Sequence, residues 1–321
     1  MIYYLIDYSN FVYRFKSVYK FSKMEVANVL LDTSELYGIY RTLQSIPYDN
    51  IVIVLDGIPT RSNTILSSYK GNRSKDDTSE GYTISQKDII KSLTCASELL
   101  KKSIHVVCSP CQETDEVISS IVHEAVSLLP SNHIFIDKLN SKLFKDDRCL
   151  KKYDDASKTK FHVEPGSKIV IASTDGDFIQ LQRYPNVYID TSMTGKEVSN
   201  IRSSKSTCGL TPIQTILYKA IFGDSSDNIP AVSLSSKQKK EVLDLISLVK
   251  SEEDLETILN SITTSPKTEV ETLLFAQRKT IRTNLQVAQL KFVSFPYELH
   301  YNFDTKAYIN KYKVRIRCYK D

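Results

Sequence analysis

Four short apolar runs, each leading into acidic residues, limit what this chain can fold into more than any other feature. They are Tyr3 to Ile6, Ile51 to Leu55, His105 to Cys108 and Ile169 to Ala172. Each is too short for a buried helix, and near-continuous apolar character is what a strand covered on both faces requires. Helical spacing fills the intervals. Leu36, Ile39, Tyr40, Leu43 and Ile46 precede the second run, and Val117, Ile118, Ile121, Val122, Ala125, Leu128 and Leu129 follow the third. Strands alternating with helices predict an α/β fold built on a doubly wound parallel sheet.

In such a sheet the carboxyl ends of the strands share one edge, so the acids that follow the runs converge on one crevice. Asp7 ends the first run in LIDYSN, and Asp56 ends the second in IVIVLDG. Glu113, Asp115 and Glu116 follow the third in ETDEV, and Asp175 and Asp177 follow the fourth in STDGDF. Asp224 and Asp227 in GDSSDN form a further pair. A single Asp at a strand end is as well explained by a turn or a helix cap; four such ends together are not. Nine carboxylates in one space repel strongly, and divalent cations relieve that repulsion. Oxygen donors without nearby histidine or cysteine favour Mg²⁺ or Mn²⁺ over zinc. Two such ions about 4 Å apart suit hydrolysis of a phosphodiester.

Charge supports a polyanionic substrate through its distribution rather than its total. Lys and Arg number 42 against 38 Asp and Glu, a net of +4, too small to indicate nucleic acid by itself. Lys306, Lys311, Lys313, Arg315, Arg317 and Lys320 nevertheless cluster near the C-terminus, and the stretch from Arg61 to Lys75 is also basic. With 41% hydrophobic and 25% charged residues in 321, the chain is neither disordered, collagenous nor a coiled coil. No apolar run approaches the roughly 18 residues of a membrane span, and the N-terminus lacks a signal-peptide pattern. A cytoplasmic setting is expected, with the six cysteines reduced. Cys108 and Cys111 form a CxxC without a second pair at zinc spacing, and His123 reads as a structural residue of its helix. The sequence contains neither GxxxxGK[ST] nor GxSxG, which argues against nucleotide-driven work and a serine-hydrolase site.

After Pro212 the texture becomes helical, most clearly over Leu243 to Val249, Leu255 to Ile262 and Val270 to Leu290. A boundary is expected near Ser203. The polar stretch 131–166 is expected to be a surface insertion.

The acidic segments resemble those of the 5′ nuclease superfamily: phage 5′–3′ exonucleases, flap endonucleases and the 5′ nuclease domain of bacterial DNA polymerase I. The likeness runs in order from residue 1 to about 232. LIDYSNFVYR resembles the family's opening segment, and LYGIYRTL its following helix. LDGIPTRSNTILSSYKGNR is similar to its Asp-Gly, Arg, Tyr-Lys-x-x-Arg segment, which places Asp56, Arg61, Tyr69, Lys70 and Arg73. ETDEV, STDGDFIQL and GDSSDNIP complete the set. The resemblance implies a PIN-like domain over 1–203, with helices on both faces of the sheet and a helical arch over about 57–104. It also implies a mainly helical DNA-binding region over 204–321. It assigns Asp7, Asp56, Glu113, Asp115 and Glu116 to one metal and Asp175, Asp177, Asp224 and Asp227 to a second. Lys70 and Arg73 would reach the scissile phosphate, Tyr69 would stack on a terminal base, and Arg61 would contact DNA.

Two departures qualify it. Glu116 stands where the family usually has Asp. After GDSSDNIP the sequence AVSLSSKQKK puts Ala231, Leu234 and Ser236 where a glycine-rich helical hairpin is expected, which argues against that hairpin's geometry and its potassium ion. Lys237, Lys239 and Lys240 could grip duplex as diffuse charge instead. The expected protein is a monomeric, Mg²⁺-dependent 5′–3′ exonuclease or flap endonuclease acting on DNA 5′ flaps or ends, an RNA primer strand included, in replication or repair. No polymerase is expected after residue 210. The competing readings are a PIN-type ribonuclease, which would lack the Tyr69-Lys70-x-x-Arg73 and GDSSDN segments, and an inactive DNA-binding protein, which would have lost carboxylates.

Overall fold

The computed structural model describes residues 1–12, 42–58, 62, 65–71, 86–109, 111–129, 156–195 and 209–310. Arg61, Arg73, part of the expected arch (59–61, 63–64 and 72–85), the greater part of the 131–166 stretch and the basic residues from Lys311 onward lie outside the described residues.

The four apolar runs are strands, and the sheet they build is larger than they predict. β1 (Ile2–Asp7), β2 (Asn50–Leu55), β3 (Ser103–Cys108), β4 (Ser157–Lys160), β5 (Lys168–Ala172), β6 (Val187–Asp190) and β7 (Tyr297–His300) form one sheet in the order β4-β7-β3-β2-β1-β5-β6. The five strands from β3 to β6 are parallel, and β7 runs antiparallel to both β3 and β4.

Alternation divides the strands between two cores. Tyr3, Leu5, Val52, Val54, Ile169 and Ile171 pack under helix α2 (Thr114–Ala125) through its Val117, Ile118, Ile121 and Val122. The 3-10 helix Gly176–Arg183 adds Phe178 and Leu181 to that face. Tyr4, Ile6, Ile51, Ile53 and Val170 face the other way, against helix α1 (Gln86–Leu100) through Ile89, Ile90 and Leu93. Burial on both faces accounts for the unbroken apolar runs.

The C-terminal region holds the helices α3 (Pro212–Phe222), α4 (Ser236–Ser247), α5 (Glu252–Thr264), α6 (Glu269–Ala276) and α7 (Arg278–Ala288). They enclose a third core that includes Leu217, Ile221, Val242, Ile246, Leu255 and Ile281.

The C-terminal region is mainly helical, as expected, and it also returns to the sheet as β7, with Leu299 buried beneath it. Within 131–166, residues 157–160 form edge strand β4, and Phe161 and Val163 lie in the first core. Both strands are four residues long and polar on their exposed side, so neither shows an apolar run. Cys95 and Cys108 are buried thiols outside any disulfide, whereas Cys111 is disulfide-bonded rather than reduced.

A candidate metal centre at the sheet edge

Strand register delivers the carboxylates to one place. Asp7 pairs with Val54, two residues before Asp56, and Ile6 pairs with Ala172, three residues before Asp175. The loop after β3 ends at Glu113, the N-cap of α2, where a reciprocal capping box with Glu116 holds the first turn. The helix therefore begins within the acidic cluster and turns its positive end toward it.

The last two acids come from a turn whose sequence dictates its shape. Thr211 and Gln214 cap α3 reciprocally and Pro212 starts it. Gly223 ends the helix at φ +70°, and a Cβ there would come within 2.4 Å of the Ile229 carbonyl, so only glycine fits. Asp224 and Ile229 then close the loop by exchanging backbone hydrogen bonds of 3.0 and 2.8 Å. The same loop anchors the segment expected at the base of the arch. The Asp227 carbonyl accepts the Lys70 amide at 2.9 Å, and Asn228 Nδ2 donates to the Ser68 carbonyl at 2.7 Å. Lys70 adopts the left-handed conformation, φ +53°, and its ammonium turns inward to pair with Glu113.

The field within the cluster is strongly negative. Asp7 is buried, with Oδ1 accepting the Asn10 amide at 3.1 Å and Oδ2 the Ser173 hydroxyl at 3.0 Å. Burial raises its pKa, the Asn10 amide pulls it back, and Asp56 and Asp175 push it further, to about 7. Asp115 lies well above the usual carboxylate range through burial and then the charge of Glu113, opposed by Lys70. Asp177 is pushed up to about 6 by burial, opposed by Lys219 and reinforced by Asp175. Glu116, Asp177 and Asp227 also act within this network, so the acids form one electrostatic unit. Asp56 is held by the Thr114 amide and hydroxyl at 2.9 and 2.6 Å.

Cations occupy the gaps between these acids. Lys219, from the last turn of α3, pairs with Asp177 and, at 2.9 Å, with Asp224. Burial opposes its charge, but Asp177 overcomes that and raises its pKa. Sequence reasoning missed Lys219, although a lone lysine in the otherwise apolar LYKAIF just ahead of GD was a readable signal. Glu113 Oε2 is buried without a hydrogen-bond partner among the described residues. There, too, no three acidic, histidine or cysteine side chains form a ready-made ligand set. Hard oxygen donors, an orphaned buried carboxylate oxygen and cations drawn between like charges all fit a site for divalent ions.

Asp190 is an instructive contrast. It ends β6 at the same edge and is fully buried, yet it accepts from the Tyr4 hydroxyl at 2.7 Å and from the amides of Ser192, Met193 and Gly195 at 2.6–3.1 Å. Its charge is met by internal donors, so it holds structure and leaves nothing for a ligand.

Tyr69 is only 6% exposed, its ring packed among Ile229, Val287 and Ala288. It forms a floor beneath Lys70, whose ammonium lies 4.9 Å from the ring centroid. Lys237, Lys239 and Lys240 are exposed on the first turns of α4. The segment before them is anchored by Gln277, which exchanges hydrogen bonds of 3.2 Å with the amide and carbonyl of Ser233. His123 is buried, with Nδ1 against the Ser119 carbonyl and Nε2 against the Tyr184 hydroxyl, as a structural residue should be.

No family model and no curated protein matches the chain. Solved structures do. The T5 D15 protein co-crystallized with metal ions is 20% identical over 90% of each chain, with a TM-score of 0.51. The T5 5′-exonuclease with bound divalent zinc is 19% identical over 90% of each chain, with a TM-score of 0.50. Likeness at this identity is likeness of architecture: the chain has the α/β, PIN-like fold seen in the T5 D15 protein.

Proposed function

We propose that the chain is a metal-dependent 5′ nuclease, hydrolysing DNA phosphodiesters near single-strand/duplex junctions as an exonuclease or flap endonuclease in replication or repair. One observation carries this reading: acids from five separate points of the chain meet at one sheet edge, with Lys70 and Lys219 drawn between them. The metal ions bound by the T5 D15 protein and the T5 5′-exonuclease, which share this fold, support it.

Asp7, Asp56, Glu113, Asp115 and Glu116 would hold one Mg²⁺ and Asp175, Asp177, Asp224 and Asp227 a second, with Mn²⁺ able to substitute. When bound, such ions polarise the phosphoryl group and lower the pKa of attacking water. The chain's own residues then have distinct tasks. The buried acids exclude bulk water and fix the position of positive charge. Lys70 lies at the rim of the cluster with its side chain 18% exposed, so release from Glu113 turns its ammonium toward an arriving phosphate. Arg73, three residues on, would add a bidentate contact. Arg61 and the exposed Lys237, Lys239 and Lys240 would hold DNA, the lysines through diffuse charge on duplex backbone. The catalytic region would span 1–203 and the DNA-binding region 204–321, with β7 tying the second to the first.

The test is a purified-protein assay on a 5′-flap DNA with and without Mg²⁺. Cleavage near the junction that requires the ion is expected. A preference for RNA without junction dependence, or Mg²⁺-dependent binding without cleavage, would overturn it in favour of a ribonuclease or an inactive binder respectively.

A further inference from the structure

Helix α7 carries three cations that the carboxylate centre does not use. Arg278, Lys279 and Arg282 all lie exposed on its outer face. With Ala276, Thr283 and Gln286 they line an open concavity of about 510 Å³. Cations elsewhere in the fold find acids: Arg183 pairs with Glu252, Lys70 with Glu113, and Lys219 with Asp177 and Asp224. None of these three pairs with a carboxylate among the described residues.

Their side chains are nonetheless held in place. The Arg278 guanidinium lies 4.2 Å from the Phe275 ring centroid and donates to the Phe275 carbonyl at 3.0 Å. Arg282 donates to the Thr263 carbonyl at 3.3 Å. Each leaves further N–H donors pointing to solvent, since a guanidinium carries five. Guanidinium groups held in place with donors to spare are suited to phosphate, whose oxygens match their planar N–H forks.

Position selects the occupant. The far end of α7 is fixed against the candidate centre, where Val287 and Ala288 pack with Tyr69 and Ile229 and the Ala288 carbonyl accepts Gln180 Nε2 at 3.1 Å. A helix rises about 1.5 Å per residue, so Arg282 and Arg278 lie roughly 9 and 15 Å along the axis from Ala288. Duplex DNA rises about 3.4 Å per base pair, so that span covers about three to four base pairs. We propose that the outer face of α7 is a second phosphate-binding surface that takes the backbone of duplex DNA a few base pairs from the scissile bond. This rests on the nuclease reading above and adds a surface to it.

The test uses the full chain in Ca²⁺ and two probes: a 5′-flap DNA whose duplex arm exceeds one helical turn, and a short single-stranded oligonucleotide. Each lost phosphate contact should reduce the slope of log affinity against log salt by about 0.9. Arg278→Gln, Lys279→Gln and Arg282→Gln together should therefore flatten the slope by about two to three units on the duplex probe, and the difference should vanish on the single strand. Melting curves show whether loss of the two arginine hydrogen bonds harms folding. Lys279→Glu, which removes no described contact, provides the second variant and should flatten the slope by about one unit or more. If the wild type cleaves the flap in Mg²⁺ but both variants keep its salt slope, the α7 surface is refuted while the nuclease reading stands, whatever acidic partner the helix then serves. A wild type that binds neither probe refutes both.

Discussion

Asp190 and Asp177 are both buried or nearly buried aspartates at the same sheet edge, and their surroundings give them opposite work. Asp190 is met by a phenol and backbone amides, Asp177 by a lysine and further acids. Asp177→Asn should leave the melting temperature and DNA affinity nearly unchanged while abolishing flap cleavage. Asp190→Ala should leave activity per folded molecule intact but orphan several donors at about 1–3 kcal/mol each, visible as a large drop in denaturation midpoint. Swapped outcomes would reverse the two roles. Lys70→Ala should lower single-turnover cleavage about 10²–10³-fold with little loss of affinity. A change in affinity alone would make Lys70 a surface charge. His123 bears on pH instead. Burial, first among its causes, depresses its pKa in the fold. The unfolded state then holds a proton the folded state refuses, so this contribution is full above the unfolded value of about 6.5 and is lost as pH falls through that value toward the folded one. Because the raised acids titrate with the opposite sign in both proteins, the test is a difference: the melting temperature of His123→Gln relative to the wild type should rise as pH falls from 7.5 to 5.5, since only the wild type loses the histidine contribution.

Among elements, legibility followed burial. β1, β2, β3 and β5 announced themselves because strands covered on both faces cannot afford polar residues. β4 and β7 did not, since SKTK is an edge strand with no buried residue and YELH buries only Leu299. β6 hid behind its own Asp190, an acid that reads as a turn until Tyr4 is seen beside it. The acids themselves were legible from their places after strands. Lys219 and the enclosure of Tyr69 were not, because both depend on which helices close over the edge, a matter of tertiary packing. The placement of β4 alters what truncation should do. Phe161, just after that strand, is 4% exposed and meets Tyr3 edge to face at 6.5 Å. Phe161→Ala should cost about 3–5 kcal/mol, read from denaturant midpoints at constant m-value. A loss below 1 kcal/mol would return residues 156–163 to the status of a dispensable surface loop.

At the scale of the whole molecule, the acidic edge makes stability a function of cations. The sheet, α2, α3 and the 223–229 turn all converge on mutually repelling charges, and in the metal-free state Lys70 and Lys219 partly offset them. A divalent ion that binds the folded chain alone stabilises it by RT ln(1 + [L]/Kd), about 2.7 kcal/mol at a hundredfold excess over Kd. For a chain of this size that corresponds to roughly 4 °C in melting temperature. Adding Ca²⁺ to chelator-treated protein should therefore raise the melting temperature by several degrees, more than matched ionic strength of NaCl achieves. Lys219 sharpens the expectation, because its ammonium competes for Asp177 and Asp224. Lys219→Met should lower the melting temperature of the metal-free protein, since two acids lose their partner, and enlarge the Ca²⁺-induced rise, since the ion no longer displaces a bound cation. The two shifts have opposite signs and come from one pair of thermal scans. If the substitution lowers both curves equally, Lys219 is a structural salt bridge with no bearing on the ion.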